Sequence, residues 1–388
     1  MNRQRNPIKN WFVNLKRGYR WLTDKVWLLV LLFLACMSVT LQIAWHTEQA
    51  ICYFLGVTHL YGATYLIALI LGGILLLHEA EYIWKHKWMK ILIGLLSVYF
   101  IYYCFLDALW WLVELLFRIP IAVSSFGTLL INITSAILVV VGYRNATNIR
   151  KKSYRIALGN TGKIFRIALV SDIHLGAFVG LNHVKKIVDA IAATQPDLVV
   201  IAGDLIDEDN SILSDPSEMN HIANTFRQIR SKHGTVLTLG NHDPGTDNIA
   251  FRNFLEKCCI TLLHNRVMEL PPINVIGISD PTSNVRKPIA DILPELDAKK
   301  PTVVIDHDPR YAEEAAQQNA DLVLSGHTHA GQFFPATVAT RIAVGKQKLY
   351  GHHQIGNSHS IITSGAGIFN LPIRLGTYNE VVELIIVL

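Results

Sequence analysis

Hydrophobic positions follow two regimes along the chain. Before Gly142 they run in long uninterrupted blocks, and after Lys151 they come as short Val- and Ile-rich runs broken by polar residues. Four blocks approach the roughly 20 apolar residues that span a bilayer: Trp27–Trp45, Leu60–Leu77, Ile91–Leu106 and Ile119–Val141. The first is too long for a cleaved signal peptide, lacks a small-residue cleavage site and is followed by three more. The later regime predicts strands at Phe165–Val170, Leu198–Ala202, Thr235–Leu239, Asn274–Ile278, Thr302–Ile305 and Leu322–Leu324. Helical periodicity falls between several of them, at Asn182–Thr194, Pro216–Arg230 and Tyr311–Gln318. Strands alternating with helices predict an α/β domain. The expected division is an all-α membrane domain of four helices over 1–150, then an α/β domain over 151–388.

Composition sharpens this picture. Hydrophobic residues make up 51% of the 388 residues and charged ones 17%, against about 25% charged in an ordinary soluble domain. The deficit lies in the first third. The Lys and Arg residues alternate across the blocks: the N-terminus is rich in them, His46–His59 has none, Glu79–Lys90 has three, and Arg118 stands alone in the next connection. The exit carries Arg144, Arg150, Lys151, Lys152 and Arg155. By the positive-inside rule both termini lie inside, which places the second domain on the cytoplasmic side of a multi-pass inner-membrane protein. The exit cations read as topology signal and as attraction for anionic headgroups. Asp107, at the end of the third block, and Glu114 read as carboxylates at the outer water interface.

The net charge of +5 and the lack of an aromatic-interleaved basic patch give no reason to expect nucleic acid. Cys36, Cys52, Cys104, Cys258 and Cys259 include no CxxC pair, so neither a zinc knuckle nor a disulfide framework is supported. Cys258 and Cys259 read as a helix end packed on the core, not as a nucleophile.

Candidate chemistry sits where the strands stop. The first run leads to Asp172-x-His174, the second to Gly203-Asp204 and the third to Gly240-Asn241-His242-Asp243. The run Thr302–Ile305 leads to Asp306-His307, and Leu322–Leu324 to Gly326-His327-x-His329. In α/β folds sites gather at such strand ends. The groups are carboxylate, amide and imidazole, with no thiolate, and they suit Mn, Fe, Zn or similar divalent ions. They are too many for one ion and about right for two sharing a carboxylate. An i, i+2 pair on extended chain points both side chains one way. Gly203, Gly240 and Gly326 read as sharp turns just before the ligands.

These residues, in this order, resemble the five blocks of the calcineurin-like metallophosphoesterase superfamily, from about Phe165 to the C-terminus. The sequence is similar above all to its bacterial membrane-associated branch, which includes UDP-diacylglucosamine hydrolases and less specific phosphodiesterases. Gly326–Gln332, Ser364-Gly365-Ala366-Gly367 and Pro372-Ile373-Arg374 carry that further likeness. Ala330 stands where Gly is usual, and Asp306 where a small polar residue is usual. The resemblance implies a four-layer αββα sandwich. It implies one metal held by Asp172, His174, Asp204 and His329, and another by Asp204, Asn241, His307 and His327. Asp204 would bridge. His242 would face the scissile phosphate, and Asp243 would orient His242 or help position substrate.

The activity so implied is hydrolysis of a phosphodiester, pyrophosphate or phosphomonoester by attack of a hydroxide shared between two divalent cations. Its expected partners are the lipid bilayer and a phosphorylated small molecule, lipid or lipid-linked nucleotide, as in lipid A synthesis. The competing readings are a transporter or sensor whose soluble domain binds metal without turnover, and a protein phosphatase or nuclease. The intact ligand set disfavours the former. His183, His221, His233 and His264 fit no block and read as packing or surface residues, and His352–His353 as an exposed pair.

Overall fold

The two regimes separate in space as well as in sequence. The computed structural model describes residues 45–57, 87–207, 211–282, 286–292, 297 and 299–388. They divide into two compact units, the boundary falling between Ile137 and Leu138.

In the first unit, helix α1 runs over Lys87–Phe117 and helix α2 over Ile121–Thr147, the latter continuing into the second unit. Among the described residues these are the two helices long and apolar enough to cross a membrane. They match the third and fourth expected spans, with α1 longer than expected at 31 residues. The expected spans at Trp27–Trp45 and Leu60–Leu77 fall almost wholly outside the described residues. Side chains such as Leu115, Leu116 and Phe117 are exposed. Asp107 departs from the sequence reading. It sits ten residues before the end of α1, is buried, and pairs with His46 Nδ1 at 3.3 Å. Glu114 accepts a hydrogen bond from Ser124. Both carboxylates therefore have partners inside the unit.

The described residues of the second unit form two six-stranded sheets. The first has the order β1-β12-β2-β3-β4-β5. Its strands are β1 (Ile149–Ala157), β2 (Ile164–Val170), β3 (Leu198–Ala202), β4 (Thr235–Thr238), β5 (Ile260–Leu262) and β12 (Asn379–Val387). The second has the order β10-β11-β9-β8-β7-β6. Its strands are β6 (Arg266–Glu269), β7 (Asn274–Ile278), β8 (Thr302–Asp306), β9 (Leu322–Ser325), β10 (Gly351–Ile355) and β11 (Ser358–Ile362). β2 to β5 run parallel, as do β7, β8, β9 and β11.

Three apolar clusters set the layers. Ile167, Leu169, Val200 and Leu384 of the first sheet pack with Val303, Ile305 and Leu324 of the second to fill the space between the sheets. The outer face of the first sheet is covered by α3 (Leu181–Ala192), α4 (Pro216–Phe226) and α5 (Ile249–Cys258). The outer face of the second is covered more thinly, by α6 (Ala312–Gln317) and the turn at Ile289–Asp291. This layering explains the sequence pattern: strands buried on both faces read as continuous apolar runs. α4 has Asp215 as its N-cap and stops at Phe226, shorter than expected. Cys258 is buried at the end of α5, and Cys259 forms the left-handed C-cap at φ 58°.

The basic stretch after the apolar blocks has a structural use that the sequence alone does not show. It is edge strand β1, paired in parallel with β12. Lys151 pairs with Glu383 at 3.2 Å, and the Arg150 guanidinium lies over the Tyr378 ring. Charge on an exposed edge also discourages sheet-to-sheet aggregation. Leu384, fully buried between the sheets, gives the test of this core: Leu384→Ala should cost about 2–5 kcal/mol and lower the thermal unfolding midpoint.

Candidate metal centre

Each expected ligand lies just past the end of its strand, and all converge at one edge of the sandwich. β2 leads to Asp172 and His174, β3 to Asp204, β4 to Asn241, β8 to His307, and β9 to His327 and His329. Backbone hydrogen bonds lock the loops together: Asp172 N–H donates to Gly203 O, His174 N–H to Asp204 O, and Gly326 N–H to His307 O.

Two groups of ligand atoms face one another. In the first, His329 Nε2 lies 3.4 Å from Asp172 Oδ1 and 3.3 Å from His174 Nε2. In the second, His307 Nε2 lies 3.2 Å from Asn241 Oδ1, which is 2.9 Å from His327 Nδ1. Asp204 Oδ2 joins them, 3.1 Å from His307 Nε2 and 3.7 Å from His174 Nε2. Atoms bonded to one ion at about 2.0–2.2 Å stand about 3–3.5 Å apart, so the donor set fits two divalent cations. Asp172, Asp204 and His307 also lie within 4.8 Å of one another, which brings Asp172 near both groups.

Burial sets the protonation of the imidazoles. It pushes His174 down to about 3 and lowers His327 and His329, so all three are neutral at ordinary pH, the form in which an imidazole can donate to a metal. His307 differs. Burial opposes its charge, but Asp204 and Asp172 outweigh that and raise it well above the ordinary value. Its Nδ1–H donates to Ala202 O at 2.7 Å, which leaves Nε2 facing the cluster.

Two expectations about the backbone are corrected here. The i, i+2 ligand pairs do not alternate on extended chain. Asp172, His174, Asp204, His327 and His329 all take left-handed backbone, with φ between 50° and 69°. Such residues cost of order 1–2 kcal/mol each, and clusters of them mark functional sites. Of the three glycines only Gly203 makes a turn that needs positive φ, at 85°. A Cβ at Gly240 would strike the Asp204 carboxylate, and one at Gly326 would strike Ser171 and Asp172. Those two positions are glycine because ligand loops pass against them. Ala330 also sits at φ 53°, which gives a physical reason for glycine being usual there.

Asp243 also has partners other than those expected. Its carboxylate accepts backbone N–H bonds from Asp204, Leu205, Ile206 and Gly240, all at 2.8–3.0 Å. Those bonds shape the Asp204 loop, so the group acts as a positioning residue there. His242 is half-buried beside the cluster, its ring 5.2 Å from that of His174, and its N–H donates to Asp204 Oδ1 at 2.9 Å. That bond occupies one Asp204 oxygen and leaves Oδ2 for the cluster.

Other participants were missed or left without a role. Phe369 stacks on His329 with centroids 5.5 Å apart and lies 5.0 Å from His242. Its place between Ser364–Gly367 and Pro372–Arg374 was the available signal. Arg374 is fully buried and donates to His329 O and Gly367 O at 3.0 and 3.1 Å, with Nη2 3.3 Å from His329 Nδ1. Burial pulls its pKa down to about 10, so it stays charged. The Ser364–Gly367 segment hydrogen-bonds back to Ser171 O and Asp172 O. His183 supports that segment by donating to Ala366 O at 2.7 Å. Asp207 Oδ1 lies 3.7 Å from His174 Nδ1, close enough for charge but beyond a hydrogen bond. Asp306 is buried against Arg286 at 2.7 Å. His352 lies on β10, exposed, with Nε2 2.9 Å from His359 Nδ1.

Comparison with known proteins agrees with this geometry. The calcineurin-like phosphoesterase family model matches residues 165–331, a stretch that contains every ligand named above. Residues 165–331 are therefore similar to calcineurin-like phosphoesterases. An uncharacterised metallophosphoesterase of Helicobacter pylori is 31% identical over 248 residues, covering 62% of this chain and 65% of its own length. One from Campylobacter jejuni is 29% identical over 259 residues, covering 65% and 67%. A transmembrane protein with metallophosphoesterase domain from Danio rerio is 31% identical over 238 residues, covering 57% and 53%. The chain thus spans less than two thirds of the Helicobacter and Danio proteins it matches.

Two outcomes follow for this site. A metal entering the second group must displace the His307 proton, so affinity should rise with pH and binding should release about one proton. Calorimetry in buffers of different ionisation enthalpy measures both. Arg374→Met should weaken metal affinity by about 10–100-fold without changing stoichiometry, as read by equilibrium dialysis with metal analysis.

Proposed function

We propose that the chain is a membrane-anchored, metal-dependent phosphoesterase. The observation that carries this is the convergence of Asp172, His174, Asp204, Asn241, His307, His327 and His329 from five strand ends, with Asp204 Oδ2 between His174 and His307. In this reading Asp172, His174, Asp204 and His329 hold one divalent cation. Asp204, Asn241, His307 and His327 hold the other. The donor chemistry suits Mn, Fe or Zn. When bound, such a pair activates water and neutralises phosphate charge.

The remaining work falls to the chain's own groups. Asp243 holds the Asp204 loop in its left-handed form. His242 stands at the rim beside the cluster, where its imidazole reaches a bound phosphoester and transfers a proton to the leaving oxygen. Phe369 covers the imidazoles of His174, His242 and His329, which limits water on that side. A sensor or transporter domain needs the ligands but not an imidazole at the rim, and His242 therefore favours turnover.

The anchor reading rests on α1, α2 and the apolar blocks before them. We extend it to four spans in the inner membrane, with the domain on the cytoplasmic side, on the Lys and Arg alternation. A tethered phosphoesterase is suited to a lipid or lipid-linked substrate, and a diester or pyrophosphate of the UDP-diacylglucosamine type is the finer form of this reading. Purified full-length chain with added manganese should hydrolyse bis(p-nitrophenyl) phosphate. His242→Ala should keep both metals and lose about 10²–10⁴-fold in kcat, whereas Asp204→Ala should lose metal as well. Full activity in Asp204→Ala would sink the assignment.

A further inference from the structure

Helix α7 (Ala336–Val344) begins seven residues after His329, and none of its residues is buried. Val338 is 48% exposed and Ile342 is 80% exposed. They are one turn apart and share a face. Phe334, on the turn leading in, is also exposed. A nine-residue helix that buries nothing and shows large aliphatics needs a partner to justify that surface.

The helix is nonetheless firmly seated at its root. Thr337 N–H donates to Phe333 O, and a Cβ on Gly331 would strike Thr337. α7 therefore stands directly on the loop that supplies His327 and His329.

Its surroundings point to one partner. Phe334 N–H donates to Leu375 O, and Arg374 N–H donates to Gly142 O near the end of α2. Gly142 also lies against Ile373. The part of α2 from Leu138 onward belongs to this unit, and its Val140 and Val141 are exposed. One loop thus has the root of α7 on one side and the end of the apolar helix on the other.

The charge agrees. Between Asp321 and Glu380 the sequence has no acidic residue. Arg341 on α7 and Lys346 just after it are exposed, while Lys348 pairs with Glu313 at 3.1 Å. An apolar face flanked by exposed cations matches the boundary between acyl chains and anionic headgroups.

We propose that α7 lies in the surface of the bilayer as a second, interfacial contact and holds the metal cleft at headgroup depth. The inference rests on the membrane-anchored part of the function proposed above and deepens it: the substrate is a phosphoester presented in the lipid surface, not one free in solution.

The test uses the full chain in nanodiscs, one chain per disc, of phosphatidylcholine alone or with phosphatidylglycerol. Hydrogen exchange over 336–344 should slow when the anionic lipid is present, while the exposed turn at 356–357 stays unchanged. No dependence on lipid would overturn the proposal, and so would protection that appears only with two chains per disc, which would make the partner a second copy. In the double variant Val338→Asp, Ile342→Asp, turnover of bis(p-nitrophenyl) phosphate should match the parent. Turnover of a phosphoester lipid in the same disc should fall about tenfold or more. Equal loss on both substrates, or loss on neither, counts against α7 as a lipid contact. If the parent hydrolyses no ester at all, the enzymatic reading fails, and the exchange measurement still judges the helix.

Discussion

The site depends on holding the Asp204 carboxylate still between imidazoles from both sheets. One of its oxygens takes the His242 N–H and the other faces His307 and His174. Neither assignment survives if the loop relaxes, because Asp204 itself sits in left-handed backbone at φ 53°. The four N–H bonds to Asp243 offset that strain and set the direction of the carboxylate. A buried carboxylate also needs compensating charge. A protonated His307 supplies part of it, and a divalent cation held there would have to displace that proton.

The same constraint shapes the regions around the ligands. Ser364–Gly367 brace the Asp172 loop through Ser171 O and Asp172 O, and His183 braces Ser364–Gly367 in turn. Arg374 ties His329 and Gly367 together from below, and its own backbone joins the end of α2 through Gly142 and Asn145. The chain leaving the apolar helix is thus connected to the His329 loop through a single buried arginine. Two of the motifs that carry the family likeness, Ser364–Gly367 and Pro372–Arg374, act as buttresses and not as donors.

Much of the fold was legible because the central strands of both sheets are largely buried on both faces. β2, β3, β4, β7, β8 and β9 therefore appear as short, mostly apolar runs ending in polar residues. β1 was not legible as a strand, since its outward positions carry Arg and Lys and read as a membrane exit. β5 and β6 are too short to show a period. α7 was hidden because no core faces it, so its exposed aliphatics form no buried stripe.

The sequence by itself determined which groups are present and in what order: seven donors, each just past a strand, with long apolar blocks before them. This follows from local rules, because burial dictates apolar runs and chain reversal dictates polar residues after them. Only the tertiary structure decided which donors meet, which oxygen of Asp204 is left for a cation, and that Asp243 serves the backbone. It also decided that Gly240 and Gly326 exist for close approach and not for turning. Those outcomes depend on distances between loops that follow different strands, some from different sheets, and no spacing along one chain encodes such a distance.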